Sequence, residues 1–208
     1  MKRFPLVCSF FLILASLVFS PVFAADRQVR ILFLGDSLTA GLGVEPHEAY
    51  PSVIRDMLDE KQITHITLTN GSISGSTSAS AVSRLKWALK ANPQVLVLAL
   101  GANDGLRGLP IDEMEKNLAC AIVLAKENRI RVILAGMEIP PNYGPEYTRA
   151  FREVFPSLAR KHDLAFIPFL LKDVAGNPSL NQADGIHPNA EGHRIIAAHV
   201  LPFILEKP

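Results

Sequence analysis

Two stretches of this chain are apolar almost without a break: Val29-Arg30-Ile31-Leu32-Phe33-Leu34 and Gln94-Val95-Leu96-Val97-Leu98-Ala99-Leu100. Each is the length of one strand, and neither alternates as a strand with one wet face would. Strands buried on both faces belong to parallel sheets, and parallel neighbours need long crossover connections, usually helices. The sequence between and after them supplies such connections. Tyr50 to Glu60 carries Val53, Ile54, Met57 and Leu58 on one helical face, and Ile63 to Thr69 is a β-branched, alternating second strand. Ser78 to Lys90 repeats apolar residues at helical spacing until Asn92-Pro93 breaks it.

Further along, Ile111 to Asn128 reads as a helix with Met114, Leu118, Ala121, Ile122 and Ala125 inward, followed by strand four at Arg131 to Ala135. A Pro/Gly/Tyr loop from Met137 to Pro145 leads to a helix through Ala150, Phe151, Val154 and Leu158. Strand five is Leu164 to Pro168, and the last helix runs from Asn189 to about Leu205. No repeat or linker interrupts the alternation. The expectation is one doubly wound α/β domain, three layers deep, with a parallel sheet of about five strands in the order 2-1-3-4-5.

The amino terminus follows other rules. Lys2 and Arg3 precede a nearly all-apolar run from Phe4 to Val18, and Val22-Phe23-Ala24 offers small residues for cleavage. This is the layout of a secretory signal peptide at residues 1–24, leaving a domain at 25–208 that is exported to the periplasm or secreted. Retention of the segment as an anchor is the alternative, and no other segment is long enough to span a membrane. Loss of the two basic residues changes the formal charge from +1 to −1. A near-neutral chain with 49% hydrophobic residues is not a nucleic-acid-binding or disordered one. Cys8 leaves with the signal segment, so Cys120 has no partner; mid-helix and without an adjacent histidine, it is expected to be buried or half-buried.

Chemistry-bearing residues follow the strands. Ser37 comes two residues after the glycine that ends strand one, Gly75 lies in the loop after strand two, Asn103 follows strand three, and Asp184 and His187 lie beyond strand five. Ligands of open α/β sheets bind at the carboxyl ends of the strands, where order 2-1-3-4-5 makes strands one and three neighbours at the switch point. A hydroxyl, a carboxamide, a carboxylate and an imidazole gathered there suit acyl transfer. Asp184-Gly185-Ile186-His187 spaces the carboxylate so that it reaches one ring nitrogen and leaves the other for a serine. His47, His65, His162, His193 and His199 lack a carboxylate at that spacing. Asp36 and Asp104 are assigned to loop geometry.

Gly35-Asp36-Ser37-Leu38, the Gly75 loop, Gly101-Ala102-Asn103-Asp104 and Asp184-Gly185-Ile186-His187-Pro188 together resemble the four motif blocks of the GDSL/SGNH hydrolases, in the family's order. Gly101 to Gly108 and Pro140-Pro141-Asn142-Tyr143-Gly144 are similar to the bacterial thioesterase, lysophospholipase and arylesterase branch. The resemblance implies Ser37 as nucleophile, His187 as general base and then acid, and Asp184 as its orienting partner. It further implies an oxyanion hole made by the N–H groups of Ser37 and Gly75 and the Asn103 side-chain amide. Two positions depart from the branch, Ser76 where Asp is frequent and Ala102 where a second glycine is frequent.

The function expected is hydrolysis of esters and thioesters, including aryl esters, acyl thioesters and lysophospholipids, with no cofactor and no metal. A carbohydrate or peptidoglycan O-acetyl esterase of the same fold and a non-catalytic binding protein are the competing readings. The apolar loop after strand four is expected to form one wall of an acyl groove with Met137, Ile139, Pro140 and Tyr143, or else to pack on the next helix. A monomer acting on small-molecule or lipid esters is expected, with no nucleic-acid partner.

Overall fold

The computed structural model describes residues 28–206, so the expected signal segment at residues 1–24 lies outside the described residues. Five parallel strands, β1 (Val29–Gly35), β2 (Ile66–Asn70), β3 (Val95–Ala99), β4 (Arg131–Ala135) and β5 (Ala165–Ile167), form one sheet in the order β2-β1-β3-β4-β5. Every residue of β3 is buried, as are Ile31 to Gly35 of β1, which is why these two stretches tolerate no alternation. Helices α2 (Tyr50–Glu60) and α7 (Ala190–Leu205) pack together on one face. Helices α3 (Ala81–Ala88), α5 (Ile111–Glu127) and α6 (Pro145–His162) follow one another across the other. The expected doubly wound, three-layer architecture is the one observed.

Two short helices begin at the carboxyl edge of the central strands: α1 (Ser37–Ala40) after β1 and α4 (Ala102–Leu106) after β3. Because Gly35 lies opposite Ala99 in the β1–β3 register, these helices start side by side. The sheet therefore delivers Ser37 and Asn103 to the same point. Among the described residues, no helix is long and apolar enough to cross a membrane.

Two local expectations are corrected. Strand two starts at Ile66 and not Ile63, because residues 61–65 are used in leaving α2: Ile63 N–H donates to the Leu58 carbonyl, and Gln62 takes a positive φ of 58°. Cys120 is exposed, not buried. Two residues on from Leu118, it is turned about 200° around the helix from the buried stripe.

Candidate active site

The turn from β1 into α1 sets the site. A Cβ at Gly35 would collide with the Thr39 side chain and stand 3.1 Å from the Ala99 carbonyl oxygen, so only glycine lets the chain fold back this tightly. Asp36, and not Ser37, caps the helix: its Oδ1 accepts from the Leu38 N–H at 3.1 Å. That leaves the Ser37 hydroxyl unclaimed by the backbone. Asp36 is buried at 1% exposure, and burial pushes its carboxyl up to about 6 despite the Leu38 bond and the nearby Asn103 amide. Its Oδ2 closes no hydrogen bond.

His187 reaches Ser37 from the opposite end of the chain. Its Nε2 lies 2.9 Å from Ser37 Oγ, and its Nδ1 lies 2.7 Å from Asp184 Oδ2. Asp184 Oδ1 also accepts the N–H groups of Ile186 and His187, each at 3.0 Å. These bonds, the backbone N–H of His187 foremost, hold the Asp184 carboxyl down to about 2. An ionised carboxylate can only accept, so Nδ1 carries the imidazole proton and Nε2 is left to accept from the serine. Gln182 anchors the whole turn by donating through Nε2 to the carbonyls of Leu42 at 2.6 Å and Pro188 at 3.0 Å. Ser37 is 8% exposed, which makes it accessible only from one side.

The glycine loop lies beside them. Ser76 N–H donates to the Ile73 carbonyl, closing a turn whose third residue, Gly75, has φ of 77°, a value that favours glycine. Asn103 Nδ2 donates to the Ser76 carbonyl at 3.1 Å, and Arg107 Nη2 to the Gly75 carbonyl at 3.0 Å. Among the described residues the Gly75 N–H has no partner. The contact to Asn103 uses the backbone of Ser76, so it does not depend on the side chain at that position. Asp104 points away from the chemistry, accepting from the Ser78 N–H at 2.8 Å and hydroxyl at 2.6 Å.

A cavity of about 520 Å³ opens over Ser37, Asn103 and His187. Met137, Ile139 and Pro140 line it together with Leu38, Leu106, Phe169 and Leu171. Tyr143 does not. It packs half-buried on the core and its hydroxyl donates to the Leu106 carbonyl at 2.7 Å, tying the loop after β4 to the end of α4. Gly75 is exposed and outside the cavity wall. Phe169 and Leu171 gave no sequence signal, since apolar residues just after a strand are ordinarily core. The other histidines stand apart from the reaction centre. His193, for example, is buried against Tyr50 and accepts its N–H at 3.3 Å. Among the described residues no three His, Cys, Asp or Glu side chains converge as a metal site would require.

The GDSL-like lipase/acylhydrolase family matches residues 33–195, most of the chain and every residue of the Ser37–His187–Asp184 arrangement. The chain belongs to that family. An arylesterase of Vibrio mimicus is 36% identical over 178 residues, covering 85% of this chain and 88% of the relative. Thioesterase 1/protease 1/lysophospholipase L1 of Escherichia coli is likewise 36% identical, over 84% of this chain and 83% of its own length. The crystal structure of TesA superposes with a TM-score of 0.81 at 35% identity, covering 85% of this chain and 98% of that one. The family resemblance read from four short motifs thus holds over residues 33–195, and this family member shares the fold of a solved relative over 85% of its length.

Proposed function

We propose that the protein hydrolyses carboxylic esters and thioesters with apolar acyl groups through an acyl-enzyme on Ser37. The observation that carries this is the imidazole of His187, held between Asp184 and Ser37 at 2.7 and 2.9 Å. As Ser37 Oγ attacks the acyl carbon, its proton passes to His187 Nε2, and the ionised Asp184 stabilises the imidazolium. The oxyanion is received by the N–H groups of Ser37 and Gly75 and by the Asn103 amide, whose second N–H is free of the Ser76 contact. Collapse breaks the bond to the alcohol or thiol, which leaves with the proton from Nε2. Water then attacks the acyl-enzyme, returns a proton to His187, and the carboxylic acid departs as Oγ is reprotonated.

The apolar wall of the cavity supports an aliphatic or aryl acyl group over a sugar-borne acetyl group. The basic start, apolar run and small residues up to Ala24 support export after cleavage. The deciding experiment pairs turnover of p-nitrophenyl butyrate with fluorophosphonate labelling and peptide mass mapping. Labelling confined to Ser37, with turnover abolished in Ser37→Ala of unchanged circular dichroism, is the expected result. A wild-type protein that neither turns over the ester nor takes the label defeats the reading.

A further inference from the structure

The β1–β2 register ends at Phe33 and Asn70, so the ladder stops short of the two segments that matter most. Beyond it lie Gly35, which leads into Ser37, and Gly71, which opens the loop carrying Gly75. Backbone bonds join them in part: Gly71 N–H donates to the Phe33 carbonyl at 2.9 Å and Ile73 N–H to the Gly35 carbonyl at 3.2 Å. The Ser72 hydroxyl adds to this by accepting from Gly35 N–H at 2.9 Å. A further tie comes from a side chain of α3. Arg84 Nη2 donates to the Gly35 carbonyl at 3.0 Å and to the Gly71 carbonyl at 2.6 Å, so one nitrogen holds both segments.

The one other hydrogen bond of Arg84 among the described residues is long, from Nη1 to Ser80 Oγ at 3.5 Å. Its Nε is buried without a partner, which is destabilising, and burial lowers the guanidinium's pKa against the opposing pull of the Asp36 carboxylate. A side chain kept only for packing would not hold a half-buried cation there with its Nε buried and unbonded. We propose that Arg84 is a positioning residue for hydrolysis: by binding the carbonyls of Gly35 and Gly71 it fixes the spacing of the Ser37 and Gly75 N–H groups that receive the oxyanion. The assignment rests on the ester-hydrolase reading above. Lysine cannot reproduce it, because an ammonium lacks the planar fork that sets where each N–H points.

The test compares wild type, Arg84→Ala and Arg84→Lys, with kcat expressed per site titrated by fluorophosphonate, so that loss of folded protein does not count as loss of catalysis. In Arg84→Ala, kcat per site should fall by about tenfold or more with KM within about twofold, as loss of transition-state geometry requires. The inhibition constant of an alkylboronic acid, whose tetrahedral adduct on Ser37 fills the oxyanion position, should weaken by a similar factor. Added ethylguanidinium should restore part of the turnover. Arg84→Lys keeps the charge and should lose about threefold or more in kcat per site. If Arg84→Ala does not fold, Arg84→Lys decides. Wild-type kcat per site in the folded variants, or a fall in kcat with no change in boronate affinity, overturns the proposal. Failure of the hydrolase reading itself would look different, since wild type would then show neither turnover nor label.

Discussion

At the scale of single residues the site separates polar groups that react from polar groups that hold. Asn103 holds through one amide N–H, spent on the Ser76 carbonyl, and it lines the cavity beside Ser37, where it is the proposed side-chain donor to the oxyanion. Asn103→Ala should therefore lower kcat by about 10²–10³ with KM little changed, checked by steady-state kinetics on a p-nitrophenyl ester. A raised KM at constant kcat would instead make Asn103 a substrate-binding group. Asp184→Asn should cost more, on the order of 10⁴ in kcat, because an amide can present an N–H to Nδ1 and turn the imidazole to the wrong tautomer. A loss under about tenfold in that variant would remove Asp184 from the mechanism. Ser37, Asp184 and His187 were legible because spacing and position after strands are enough to suggest them. Gly75 was legible only through the family's motif, since a glycine in a loop says nothing by itself. Arg84 was illegible: an arginine in a helix reads as a solvated charge until the fold shows two carbonyls beneath it.

Among elements, the strands and the long helices were readable and the one-turn helices were not. The bounds of α2 and β4 follow from periodicity, and α5 differs from the expectation by one residue. Helices α1 and α4, of four and five residues, are too brief to repeat a pattern. The loop after β4 shows why packing and binding need not be rival roles. Ile139 lines the cavity while its Cγ2 lies within 2.7 Å of where a Cβ on Gly105 would stand, beside Phe151. Tyr143 in the loop and Tyr147 in the first turn of α6 fasten it to the carbonyls of Leu106 and Leu109. A wall so fastened should reward added methylenes. Lengthening the acyl chain from acetyl to octanoyl should raise kcat/KM by up to about fourfold per CH₂ before a plateau. Ile139→Ala should flatten the series and lower stability by about 2–4 kcal/mol. A series that falls with length would favour the acetyl-esterase reading.

For the molecule as a whole, two buried titrating groups pull stability in opposite directions. His193 is 1% exposed, and burial lowers its pKa to about 4 from 6.5. Between those values the unfolded chain holds the proton and the folded one does not, so this group makes stability rise with pH. Asp36, raised by burial to about 6 from 3.8, keeps its proton in the folded state through much of the same window, so it makes stability fall with pH. The wild-type profile between about pH 4 and 6 should be nearly flat as a result. Thermal melts across this range should show stability climbing with pH in Asp36→Asn and declining with pH in His193→Gln. Parallel profiles for all three proteins would contradict it. The distance between Ser37 and His187 along the chain has a consequence of another kind. They are 150 residues apart, and the imidazole arrives on the turn just before α7, which must dock on α2 to hold it. Closing so long a loop is a late event in folding. Turnover should return after helical signal during refolding, and in a chain that stops short of α7 nothing holds His187 against Ser37. Activity thereby becomes a report that α7 has found its place on α2.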